Sequence, residues 1–196
     1  VDATLVNLLE AGTDTVCIVG KASAYHVTEA LRTDLNEGVA MVADSIRHLK
    51  SHGRTVFFDA EHFFDGYAAN PEFSLEVLCN AAEAGADCLV LCDTNGGSLP
   101  GLVEATVRDV MAVVDCEVGV HLHNDTGCGV ANALAGVAAG ATHVQGTING
   151  YGERVGNCDL VPIIANLTLK MGVETLPEGC LVELTSVAHH VAELVN

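Results

Sequence analysis

"EAGADCLVLCD", residues 83–93, decides the fold. A small-residue stretch closes at Ala84 and Gly85, and an unbroken apolar run from Cys88 to Cys92 then leads to Asp93. Glycine just past a helix end supplies the left-handed conformation that stops the helix. A short, near-continuously apolar run is what a strand buried on both faces of a parallel sheet requires. The same device recurs in "EAGTDTVCIVG" from Glu10, "SHGRTVFFDAE" from Ser51 and "AAGATHVQGTI" from Ala138, while "VVDCEVGVHLH" from Val113 supplies a further strand without the glycine.

Five strands are therefore predicted, near 15–19, 55–59, 87–92, 116–122 and 142–147. Helical patterns lie between and after them, at 37–50, 74–84, 101–114, 127–139 and 159–171. The first of these sets Val39, Val42, Ile46 and Leu49 on one face. Strand–helix alternation at this spacing means α/β architecture with right-handed crossovers. An open doubly wound sheet and a (β/α)8 TIM barrel both accommodate it, and the placement of polar residues separates them. Lys21 and Ser23, Asp59 and Glu61, Asp93 and Thr94, His121 and His123, and Asn149 all follow the carboxyl ends of successive strands. A barrel gathers functional groups from every strand at that face. A doubly wound sheet concentrates them at one switch point behind a glycine-rich phosphate loop, and no such loop occurs. A barrel is the expectation.

Composition bounds the function. The 196 residues, 49% of them hydrophobic, suffice for one sizeable core. Eight basic against 26 acidic residues give a net charge of −18, a surface that repels phosphate backbones and argues against nucleic-acid partners. No apolar run approaches a membrane span. The eight cysteines show no CxxC spacing and sit mostly among Val, Leu and Ala. The expectation is reduced, mostly buried thiols in a cytoplasmic protein.

His121 and His123, two apart on a strand, share a face, which suits two ligands of one divalent metal. Manganese, magnesium and zinc all remain open. Asn124 and Asp125 either orient the imidazoles or cap the following helix, with capping the expectation for Asp125. Asp59 and Glu61 form a second pair two residues apart, suited to acid–base work on a metal-bound substrate or, equally, to a structural ion pair. Thr94, in "LCDTNGG", offers a hydroxyl that can bind a carboxylate, and Asp93 reads as a buried turn residue. "GTINGYGERVGN" (146–157) is a glycine-rich loop carrying Asn149, Glu153, Arg154 and Asn157.

"HLHNDTGCGVANALAGVAAGATHVQGTINGYGERVGN", with "FFDAEHFFDGY" and "LCDTNGG", resembles the 2-isopropylmalate, homocitrate and citramalate synthase family, its citramalate-type branch in particular. That resemblance implies a metal-dependent Claisen condensation of acetyl-CoA with a 2-oxo acid, followed by thioester hydrolysis. Pyruvate, giving citramalate, is the first expectation for the oxo acid, and 2-oxoisovalerate the second. The resemblance also implies that His121, His123 and Asn157 hold the metal. Glu61, the catalytic candidate, would line the oxo-acid pocket, and Thr94 would contact the substrate carboxylate, with Asp59 as a further substrate-binding candidate. The implied enzyme is a homodimer.

Measured against that family, residues 1–172 correspond to about the last five βα units of a TIM barrel. Residues 173–196 read as a helical segment leading towards a C-terminal region. The family's Asp-Arg-(Glu or Asn) strand does not occur in the sequence. The 196 residues alone are therefore expected to be an open, catalytically silent sheet. A related metal-dependent lyase of the same barrel type and a non-catalytic metal-binding or assembly module are the competing readings.

Overall fold

A computed structural model describes residues 3–195; Val1, Asp2 and Asn196, the last at the end of the 173–196 segment expected to be helical, lie outside the described residues. The chain runs α1 (Ala3–Glu10), β1 (Thr15–Lys21), α2 (Ala24–His26, continuing into a π-helical turn Val27–Leu31), α3 (Leu35–Ser51) and β2 (Thr55–Glu61). It continues α4 (Phe63–Ala69), α5 (Pro71–Glu83), β3 (Cys88–Asp93), α6 (Pro100–Met111), β4 (Glu117–Leu122), α7 (Gly129–Ala139) and β5 (His143–Gln145). After a 3-10 turn at Ile148–Gly150 come α8 (Leu160–Lys170), a second 3-10 turn at Cys180–Glu183, and α9 (Leu184–Val195).

All five strands are parallel and lie in sequence order, β1-β2-β3-β4-β5. A doubly wound sheet reverses its order at a switch point, and this sheet never reverses. It is a partial barrel wall, as expected. Among the described residues β1 and β5 each have one strand neighbour, so both edges are open.

Side-chain alternation splits the wall into two faces. Phe58, Ala60, Leu89, Leu91, Val118, Val120 and Leu122 point into the main core, against Ile46 and Leu49 of α3, Val77 and Leu78 of α5 and Val103 and Val107 of α6. Cys88, Val90 and Cys92, with Phe57 against them, form a second, smaller cluster on the concave side. Helix starts are capped locally: Asp34 accepts from the Glu37 amide at 2.9 Å, and Asn70 from Phe73 at 3.2 Å just ahead of Pro71. Gly12 (φ +69°) and Gly85 (φ +101°) adopt the left-handed turn that the repeat requires before a strand.

Three features differ from the sequence expectation. Helix α4 was not anticipated, because "FFDGYAA" shows no clear period. Buried Phe63 and Phe64 hold it, and Gly66 packs so closely that a Cβ there would lie 2.6 Å from the Ala22 carbonyl oxygen. Strand β5 stops at Gln145 rather than 147. The returning segment 157–159 takes the place of strand pairing, bridging His123 to Asn157 and Thr147 to Asp159. Finally, all eight cysteines are free, but only Cys88, Cys92 and Cys158 are buried, while Cys17 and Cys180 are exposed. Cys17 stands on the open β1 edge strand, and Cys180 in the turn before α9.

Asp87, at the entry to β3, ties the wall to α3. It accepts from Lys50 Nζ at 2.7 and 2.9 Å and from the Val56 amide at 2.7 Å. Partial burial works to raise its pKa, but the Lys50 contact and the amide outweigh it and hold the carboxyl below its ordinary value. A depressed carboxyl contributes stability above its unfolded value of 3.8 that is lost as pH falls through the folded one. Asp87→Asn should therefore cost about 1 kcal/mol at pH 7, a modest figure because the pair is partly exposed. Urea unfolding at pH 7 and pH 3 should show the gap between variant and parent closing at the lower pH.

Candidate active site

At the carboxyl ends of the strands, the inward residues of β2, β3, β4 and β5 meet. Asp59, Cys92 and His121 bring one carboxylate oxygen, one sulfur and one ring nitrogen within 4.8 Å of one another. Gln145 on β5 lies between two of them, its Oε1 2.7 Å from His121 Nδ1 and its Nε2 donating to Asp59 Oδ1 at 2.8 Å. Asp59 also accepts from the Cys17 thiol at 3.1 Å, and its other oxygen is 3.9 Å from His121 Nδ1. Burial pushes Cys92 well above its ordinary value, with Asp59 adding to it. Cys17 is exposed as a residue, but partial burial of its thiol, then Asp59, push it up to about 12.

The opposite side of the His121 ring faces the glycine-rich loop. Its Nε2 stands 3.1 Å from Asn157 Oδ1. Gln145 presents a carbonyl oxygen to Nδ1, which an Nδ1–H satisfies; in the neutral ring of that form Nε2 is a lone pair. The Asn157 amide has its Nδ2 towards the Tyr151 carbonyl at 3.4 Å, which leaves Oδ1 aimed at the imidazole. Two acceptors thus converge, and a positive charge between them, a metal ion or a proton on Nε2, relieves the contact. Ligands bound at about 2.1 Å in adjacent positions of an octahedral ion stand about 3.0 Å apart, so the donor pair fits a divalent cation.

His123 completes this corner. Its ring centroid lies 5.5 Å from that of His121, and its backbone bridges to Asn157. The side chain is buried and Nδ1 has no hydrogen-bond partner. Burial, then His121 and Arg154, lower its pKa against the opposing pull of Asp125 and Glu153, which favours the neutral, nitrogen-donating ring.

The other candidates spread around the mouth. Glu61 pairs with Lys21 across the β1–β2 register. The ion-pair reading of Glu61 therefore holds in this state, and its carboxylate does not join Asp59 in a shared pair. Thr94 Oγ1 accepts from the His62 amide at 2.8 Å. Asp93 is the buried turn residue expected, accepting from the Ser98 amide at 3.0 Å, and burial raises its pKa despite that bond. The capping expectation for Asp125 fails. Asn124 accepts from the Gly129 amide at 2.9 Å, whereas Asp125 is held by Arg154 through Nε and Nη2, both at 3.0 Å. Asn149 turns away and donates to Ala188 of α9 at 2.8 Å.

Cys92 and Gln145 went unnoticed in the sequence. Period-two spacing was the available signal, since Cys92 stands two before Thr94 and Gln145 two after His143.

Comparison with known proteins settles the wider family. The HMGL-like family profile matches residues 2–191. The chain belongs to the HMGL-like family. It is 56% identical over 189 residues to the (R)-citramalate synthase of Streptomyces coelicolor, an alignment covering 96% of this chain and 35% of that protein. It is 48% identical to the (R)-citramalate synthase of Aquifex aeolicus, covering 100% of this chain and 37% of the relative. The chain thus spans little more than a third of the length of these curated relatives. Among solved structures, the HMG-CoA lyase of Bacillus subtilis superposes with a TM-score of 0.84 at 22% identity, over 98% of this chain and 67% of that one. At that identity the likeness shows a shared fold.

Arg154 also donates to the Thr94 carbonyl at 2.7 Å, so one side chain clamps the glycine-rich loop to the ends of β3 and β4. Arg154→Ala should accelerate amide hydrogen exchange at 153–157 by about tenfold or more while leaving β3 unchanged.

Proposed function

We propose that this chain carries the metal-binding and oxo-acid-binding strands of a citramalate synthase-type acyltransferase, which condenses acetyl-CoA with pyruvate. The observation that carries this is the convergence of His121 Nε2 and Asn157 Oδ1 on one point beside His123. Family membership and 46–56% identity to several (R)-citramalate synthases support the choice of reaction. A 2-isopropylmalate synthase acting on 2-oxoisovalerate is the second reading. It rests on relatives so named at 34–35% identity over 74% of the chain and is the weaker.

On this reading His121, His123 and Asn157 hold a divalent ion, manganese, magnesium or zinc. When bound, the ion acts as a Lewis acid towards the 2-oxo carbonyl. Thr94 donates its hydroxyl hydrogen to the substrate carboxylate, while its oxygen keeps the hydrogen bond from the His62 amide. Asp59 forms the floor of the pocket under His121, where its negative charge favours the cation. Glu61 leaves Lys21 to move a proton at the reacting centre. The free cysteines support a reducing, cytoplasmic setting. No helix among the described residues is long and apolar enough to cross a membrane. A homodimeric synthase of amino-acid biosynthesis fits the same reading.

Calorimetric titration with Mn²⁺ tests the site, and binding should tighten when pyruvate is present. Binding that persists unchanged in His121→Ala would overturn the assignment. In a complete synthase carrying this sequence, Glu61→Gln should lower pyruvate-dependent thiol release by about two orders of magnitude. Mn²⁺ affinity should stay nearly unchanged, and an unaltered turnover number would leave Glu61 as an ion-pair partner of Lys21 only.

A further inference from the structure

We infer that Gln145, itself held by Asp59, is a positioning residue that sets the tautomer of His121. The inference rests on the metal-binding reading of His121 and adds the means by which the ring is made ready. A carboxylate can only accept hydrogen bonds, so the Asp59 Oδ1 contact at 2.8 Å must be made by the amide NH₂ of Gln145. That fixes the amide, because its flipped form would set a carbonyl oxygen against a carboxylate. The Gln145 carbonyl oxygen is then left 2.7 Å from His121 Nδ1 and can be satisfied only by an Nδ1–H donor. The ring proton is thereby drawn to Nδ1, and the lone pair on Nε2 is presented towards Asn157 Oδ1.

This direction matters because neutral histidine in water prefers its proton on Nε2, the form that cannot bind a cation there. Asp59 is in turn fixed by the Cys17 thiol at 3.1 Å. The chain of contacts is Cys17 to Asp59 to Gln145 to His121, drawn from β1, β2, β5 and β4. Neither Gln145 nor Asp59 needs to touch the cation to act in this way. Partners of this kind, which orient a ligand from behind, typically change metal affinity by about 10- to 100-fold when removed.

The test reads the ring directly, in the metal-free 196-residue chain labelled with ¹⁵N-histidine. Two-bond ¹H–¹⁵N spectra distinguish Nδ1–H from Nε2–H, and the His121 signals are those lost in His121→Asn. The parent should show His121 as the Nδ1–H form. Gln145→Met, similar in size but without the amide, should move it towards Nε2–H and weaken Mn²⁺ binding by about 10- to 100-fold. A parent ring already in the Nε2–H form overturns the inference, as does a tautomer unaltered by Gln145→Met. Should Gln145→Met fail to fold, Asp59→Ala frees the amide to flip and must produce the same loss of the Nδ1–H form. A tautomer that responds as expected in a chain that takes up no Mn²⁺ supports the orienting role and removes the metal reading instead.

Discussion

Strict alternation along parallel strands is the constraint on which the rest of this structure depends. Phe58 and Asp59 are neighbours in sequence, and so are His121 and Leu122, yet each pair divides between opposite faces of the sheet. A slip of one residue would bury the polar member under the helices and expose the apolar one to the cleft. Full burial of side chains such as Phe58, Leu91 and Leu122 contributes about 1.5–3 kcal/mol each. The energy that packs the helical layer therefore also fixes the register that aims Asp59 and His121 inward. Core and site are two readings of one pattern.

That pattern explains what could be read from the sequence and what could not. Helix–turn–strand punctuation at Gly12 and Gly85 is local, so the alternation and the strand positions were legible. The shared face of His121 and His123 follows from spacing alone, and their closeness in space was legible too. Cys92 and Gln145 were not, because each lies in a run that reads as uniformly apolar or unremarkable, and its meaning depends on a neighbour from another strand. Gln145 acquires a role only from Asp59, which is 86 positions away. Arg154 and Asp125 show the same limit. The capping expectation for Asp125 was locally sound, but a charged partner 29 positions on outcompetes a helix amide already satisfied by Asn124.

Electrostatics at the cleft mouth explain why an acidic chain suits a cation. Asp59, Glu61, Asp93, Asp125 and Glu153 gather near the strand ends, while Lys21 pairs with Glu61 and Arg154 with both Asp125 and Glu153. The local balance matches the net charge of −18, and the two basic side chains at the strand ends, Lys21 and Arg154, are both held in ion pairs rather than turned to an anionic substrate. On the proposed reading, the oxo acid is drawn by the cation and by Thr94 rather than by the protein's own positive charge. On the same reading, a cleft without the cation would repel the substrate, so the ion would supply the charge that makes binding possible as well as Lewis acidity.

The same balance bears on the order of events. On the proposed reading, a cation entering first would meet a negative site in which Gln145 already orients His121. An oxo acid entering first would meet Asp59 and Glu61, with Lys21 occupied. Orientation of His121 from behind and neutralisation of the cleft in front are therefore successive requirements of one site. Both reduce to which strand residue faces inward.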